Sequence, residues 1–153
     1  MTWPAPELDA VRRLRIVAAA YPSAGISEIS VNVPFDDAWQ WITNFERNTP
    51  RMDTIVRKVR LRRVAEGEYR MLVWLRWSPL PWPFRVTVEP GFCMMQARAR
   101  AFLVLMAAVS EGPARTRYAH AEAVPVRRLG FLRRRFQRMV EADLARLASN
   151  IPN

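Results

Sequence analysis

Three side chains toward the end of the chain have the types and the spacing for proton chemistry. Tyr118, His120 and Glu122 alternate with Ala119, Ala121 and Ala123. Alternate residues of an extended strand share one face, about 6.5–7 Å apart. That pattern sets a phenol, an imidazole and a carboxylate in a column able to orient a carbonyl or move a proton. The plainer alternative is an exposed polar face, or an ordinary hydrogen-bonded histidine. Alternation alone leaves open which face points inward, because alanines also suit a face covered by packing. Asp143 is a further polar candidate, at the edge of the helical stripe made by Phe136, Val140 and Leu147. An inward carboxylate needs a partner there, and an ion pair with an arginine is the expectation.

Missing residues exclude other chemistries. Cys93 is the single cysteine and His120 the single histidine, so four-cysteine and two-cysteine–two-histidine zinc sites are ruled out. Any metal would lean on carboxylates, and neither a metal site nor a cofactor is expected. One cysteine also permits no internal disulfide, which fits a reducing cytoplasm, the expected location. The chain has no Gly-x-Ser-x-Gly, no phosphate-binding glycine loop and no dinucleotide fingerprint. No serine stands out as a partner for His120, so no residue set fixes a reaction.

The elements that must position these groups follow from periodicity. Glu7 to Ala20 reads as a short amphipathic helix on Leu8, Val11 and Leu14, with acids early and arginines later, and Pro22 and Gly25 end it. Ile26 to Val33 alternates as a half-buried strand, stopped by Pro34. Asp36 and Asp37 open a helix with Ala38, Trp39, Ile42 and Phe45 on its apolar face, and Pro50 closes that region after a second short helix. From Thr54 to Val124 the period is two. Turns at Ala65–Glu68, Ser78–Pro81, Pro90–Gly91 and Glu111–Pro113 divide that stretch into an antiparallel meander, with Phe92 to Arg100 and Ala101 to Val109 as one strand pair. Leu129 to Ile151 carries apolar residues every three or four positions and reads as one long helix, roughly 35 Å at 1.5 Å per residue.

This order resembles the START-like (helix-grip) superfamily. Ile29-Ser30-Val31-Asn32-Val33-Pro34-Phe35-Asp36-Asp37-Ala38-Trp39 is similar to its opening strand, proline and acidic helix start. Gly112 to Tyr118 resembles the turn into its last strand, and Val140 to Ile151 the end of its closing helix. Within the superfamily the likeness is to the bacterial polyketide cyclase/dehydrase-like group. The segment Asn44 to Pro50 does not reproduce the Tyr-Pro-x-Phe pattern of quinone-binding relatives. The resemblance implies an α+β fold: a curved antiparallel β-sheet wrapped around a long C-terminal α-helix, with two short helices after the first strand. It makes residues 1–25 an N-terminal tail and short amphipathic helix, and 26–153 the ligand-binding domain.

It further implies a cavity between the concave sheet face and the long helix, holding a small lipid-like, aromatic or polyketide-like molecule. Alternation points Tyr69, Met71, Val73, Leu75 and Trp77 inward, then Trp82, Phe84 and Val86, then Met95, Ala97 and Ala99, with Phe136 and Val140 facing them from the helix. A filled core is the competing reading. A cyclase or aromatase would use Tyr118, His120 and Glu122.

Charge offers a third possibility. The net charge is +10, nearly all of it arginine, and hydrophobic residues at 50% speak against a disordered polyelectrolyte. Arg127, Arg128, Arg133, Arg134, Arg135 and Arg138 crowd the start of the last helix, where positive charge opposes the helix dipole. An anionic membrane surface or an acidic partner would suit that cluster. Nucleic acid is not expected, since the remaining arginines are scattered and no binding motif appears. No apolar run approaches the ~20 residues of a membrane span, and the basic-then-apolar stretch Arg12 to Tyr21 is at the short limit for an export signal. Nothing in the sequence specifies an oligomeric state.

Overall fold

The computed structural model describes residues 8–152. The tail at 1–6, Glu7 at the head of the expected first helix, and Asn153 lie outside the described residues. The elements are α1 (Ala10–Ala19), β1 (Gly25–Val31), α2 (Phe35–Thr43), α3 (Phe45–Met52), β2 (Val56–Ala65), β3 (Glu68–Leu75), β4 (Trp82–Glu89), β5 (Phe92–Ala97), β6 (Leu103–Gly112), β7 (Arg115–Ala123) and α4 (Arg133–Asn150). The seven strands form one antiparallel sheet in the order β1-β7-β6-β5-β4-β3-β2. This is the architecture expected from the resemblance, with the long helix on one face and α2 and α3 after the first strand.

Each face of the sheet has its own core. Alternation sends Val59, Met71, Val73, Val86, Met95, Met106 and Tyr118 to the concave side, where they meet Phe45, Ile42, Leu144 and Leu147. The opposite side carries Leu103, Leu105, Ala107, Ala119, Ala121 and Ala123 beneath Val11, Leu14 and Ala18 of α1. The small residues of β7 are thus explained: a helix lies directly over them, and larger side chains would hold it off. Asp9 caps α1, its carboxylate accepting from the Arg12 amide at 2.9 Å.

The long helix is anchored on the edge strand. Gly25 sits where α4 crosses β1, and a Cβ there would lie 2.3 Å from the backbone of Phe136 and Gln137. Beside that crossing the Gln137 side chain accepts from the Ile26 amide at 2.9 Å and donates to the Ile26 carbonyl at 2.8 Å. One amide therefore satisfies both backbone groups of an edge residue and fixes the register of helix on sheet.

Several boundaries differ from the sequence reading. Pro50 does not close its region: it lies inside α3, which runs on to Met52. Ala99 is not an inward strand residue. The strand ends at Ala97, and Ala99 has φ 59° in a tight 3-10 turn at Arg98–Arg100. The last helix starts at Arg133, not Leu129. A 3-10 segment at Arg127–Leu132 precedes it, because Leu129 leaves helical dihedrals next to Gly130, a poor helix former.

Candidate functional site

Between the concave face and α4 lies a chamber of about 240 Å³. Strands β3 to β6 supply an apolar wall that includes Met71, Val73, Leu75, Phe84, Met95, Val104 and Met106, joined by Phe102 just before β6. Thr49, Met52, Asp53, Ile55 and Val56 line it from α3 and the start of β2, and Met139 and Asp143 line it from α4. Exposure marks the mouth: Trp77 is 67% and Trp82 38% exposed, and their rings pack edge to face at 6.0 Å. Ile55 stands at the same opening, 39% exposed.

The polar groups converge on the floor. β7 turns its Tyr118 face to the concave side because α1 covers its alanine face. His120 Nδ1 lies 3.1 Å from the Tyr118 hydroxyl, and its Nε2 lies 3.2 Å from Glu122 Oε1. Asp143 Oδ2 is 3.9 Å from the same Nε2. All four side chains are buried. Asp53 joins the group from the end of α3, its charge felt by both His120 and Asp143.

Burial and mutual charge set the protonation pattern. Burial pushes the Tyr118 hydroxyl well above its ordinary range, so it stays a phenol and a donor. A donating phenol on Nδ1 places the proton of a neutral imidazole on Nε2, aimed at Glu122. For His120 burial disfavours the charged ring. The Glu122 hydrogen bond and the charges of Glu122, Asp143 and Asp53 outweigh that and raise its pKa. Burial pushes Asp143 up to about 7, against the pull of His120 and Arg146 and with the push of Asp53 and Glu122. Asp53 is raised as well, by burial first, while the Ile55 amide on Oδ1 at 2.9 Å opposes the shift. Cys93 is buried and its thiol lies at about 12, so it offers no nucleophile.

The expected lining residues are only partly brought together. Met71, Val73, Leu75, Trp77, Trp82, Phe84 and Met95 face the chamber, as do His120 and Glu122. Tyr69 does not: it stands two residues nearer the β2–β3 hairpin and packs on the core beyond the void. Phe136 is taken up by Phe102, ring centroids 5.6 Å apart, and Val140 is wholly packed. Tyr118 lies fully buried behind His120. Asp143 has no arginine partner among the described residues: its ion-pair neighbour is His120. The sequence reading also missed Asp53, Phe102, Val104, Met106 and Met139. Val104 and Met106 lie in an unbroken apolar run whose two faces cannot be told apart by polarity.

One imidazole nitrogen and two carboxylates, from His120, Glu122 and Asp143, bring ligand atoms within 4.8 Å of one another. This donor set can hold a divalent ion, given bond lengths of about 2.0–2.2 Å. No helix among the described residues is long and apolar enough to cross a membrane.

No family model matches the sequence, and no curated protein matches it. Solved structures do. A START superfamily protein from Mycobacterium smegmatis superposes with TM-score 0.65 at 13% identity, over 84% of this chain and 96% of that one. The ZhuI aromatase/cyclase from Streptomyces sp. R1128 gives 0.60 at 13% identity, over 84% and 92%. The di-domain aromatase/cyclase BexL of the BE-7585A biosynthetic pathway gives 0.59 at 12% identity, covering 93% of this chain and 55% of that longer one. At such identities the likeness concerns fold. Sheet order, paired helices after β1 and closing helix all agree with it, and the chain carries the START-like helix-grip fold.

Proposed function

We propose that this protein binds a small apolar molecule between the sheet and α4. The observation that carries the reading is the void itself: about 240 Å³ remains where helix and sheet could have closed into solid core. Its size bounds the ligand. It equals the liquid volume of roughly eight waters and falls below the ~300–1,000 Å³ of drug-sized pockets. A compact aromatic or a short aliphatic chain fits. Met71, Met95 and Met106 add side chains that adapt to ligand shape.

Calorimetric titration with 1-octanol tests the reading. Wild type is expected to bind, and Val73→Phe, whose ring would occupy the void, is expected to lose binding while still unfolding cooperatively. Equal binding by both proteins, or none by wild type, would sink the proposal.

A second reading has its own observation. The run from Tyr118 through His120 to Glu122 is hydrogen-bonded, buried and open to the chamber at His120. Two of the similar folds are described as aromatase/cyclases. On this reading the unpaired Glu122 Oε2 takes a proton from the carbon next to an enolisable carbonyl, His120 Nε2–H holds that carboxylate in place and Tyr118 holds the ring. Wild type would then accelerate deuterium exchange next to the carbonyl of an apolar 1,3-diketone, and His120→Ala would not. The arginine cluster before and within α4 supports a third component, attachment to an anionic membrane surface.

A further inference from the structure

We propose that the floor of the chamber receives the ammonium end of an apolar amine, with Glu122, Asp143 and Asp53 as its acceptors beside His120. The inference rests on the ligand-binding reading above and names the class of ligand.

The floor has many acceptors and few donors. An ionised carboxylate only accepts, and three carboxyl groups from three different elements meet here: Asp53 after α3, Glu122 on β7 and Asp143 on α4. Against them stands one imidazole. Its Nδ1 is engaged by the Tyr118 hydroxyl, which leaves Nε2 to serve Glu122 at 3.2 Å and Asp143 at 3.9 Å. Glu122 shows the shortage most directly. Its side chain is 4% exposed, it lines the chamber, and its second oxygen, Oε2, is buried without a hydrogen-bond partner among the described residues. A buried acceptor left unpaired is costly, and more so when charged.

No arginine or lysine among the described residues forms an ion pair with any of the three carboxyls. Arg146 is felt at Asp143 and Asp53, but only through space. That is notable in a chain of net charge +10. Three carboxyl groups against one imidazole leave acceptors in excess of donors at this end of the chamber.

Head groups can be sorted by this inventory. A carboxylate or phosphate would face like charge in a chamber that disfavours uncompensated ions. A ketone or ester, accepting only, would compete for the single Nε2–H. An ammonium brings three donors and one positive charge, and its alkyl or aryl body matches the Met71, Val73 and Phe84 wall.

A matched series separates these outcomes: octylammonium, 1-octanol and octanoate, each titrated calorimetrically at pH 7.5 and moderate salt. The expected order is octylammonium tightest, at least tenfold over octanol, with octanoate weakest. Asp53→Asn combined with Asp143→Asn is expected to bring the octylammonium-to-octanol ratio toward one. Octanol binding as tightly as octylammonium would overturn this inference and leave the apolar-ligand reading standing. Binding of none of the three would overturn both. Tightest binding by octanoate, abolished by EDTA, would assign the floor to a metal ion and overturn the amine.

Discussion

At the scale of single residues, the site is a charge problem that burial makes acute. The Asp143 carboxyl moves from 3.8 to about 7, chiefly through burial. A group held above its unfolded pKa keeps a proton in the folded state that the unfolded chain has already released. The stability tied to that proton is full below the unfolded value and is lost as pH rises through the folded one. His120 and Asp53 are raised too, so all three act in the same direction. Wild type is therefore expected to lose stability relative to Asp143→Asn between pH 5 and pH 8, at no more than about 1.4 kcal/mol per pH unit. Urea unfolding of both proteins at pH 5, 6, 7 and 8 measures it, and a pH-independent difference would contradict the assignment. The Tyr118–His120–Glu122 column was legible because alternation with alanine is unambiguous. Its inward direction was not, because an alanine face under α1 and an alanine face toward solvent read alike. Asp53 was invisible. Pro50 placed the end of the helix too early, and only packing carries α3 on to Met52.

At the scale of elements, α4 is pressed against the edge strand near its start and packed into the concave core through Leu144, Leu147 and Ile151, and the chamber lies beneath Met139 and Asp143 between those contacts. The contact at Gly25 sets the near approach, and the Gln137 amide locks it. Gly25→Ala would place a methyl 2.3 Å from the α4 backbone, where no rotamer change can relieve the clash. A loss of about 2–4 kcal/mol is expected, in the upper range of overpacking substitutions. Gly130→Ala, whose Cβ would meet nothing nearer than Pro22 Cβ at 3.4 Å, is the control and should stay within about 0.5 kcal/mol. Chemical unfolding decides between them, and equal stabilities for the two variants would refute the anchoring role. Periodicity exposed α4 and most strands, since their polar faces are marked by arginines. It failed on β6, where Leu103 and Leu105 face α1 while Val104 and Met106 face the void, all in one apolar run. Gln137 gave no signal either: a glutamine on a helix reads as surface until the edge strand beside it is known.

At the scale of the molecule, most of the fold was readable from element order, because the connections from β2 through β7 are short and force sequence neighbours to pair, while the α2–α3 excursion separates β1 from β2 and leaves β1 on β7. What order could not supply is which features share an end. The ladder places Leu75, Trp82, Ala97, Leu103 and Ala123 along one rim of the sheet, through the pairings of Val73 with Trp82, Phe84 with Ala97, Gln96 with Leu103 and Leu103 with Ala123. The chamber mouth opens on that rim, and the chain leaves β7 there into the arginine-rich segment. Exposed apolar side chains lie within the charged segment, Val126 at 46% and Phe131 at 75% exposure among Arg127, Arg128, Arg133, Arg134, Arg135 and Arg138, and Leu80 at 73% stands in the β3–β4 connection along the same rim. Aromatic and aliphatic side chains mixed with arginine suit the interface of an anionic bilayer, where each basic residue contributes about 1 kcal/mol. The protein is expected to co-sediment with vesicles of phosphatidylserine and phosphatidylcholine and to stay in solution with phosphatidylcholine alone. Replacing Arg133 and Arg134 by Ala should weaken that binding roughly thirtyfold, from about 2 kcal/mol. Raising salt toward 1 M should do much the same, as the screening length falls from about 10 Å to 3 Å. Phe131→Ala should lower the salt-resistant remainder instead. Binding that ignores lipid charge, or that survives the double arginine substitution unchanged, would detach the mouth from the membrane and leave the arginines as a solvated face.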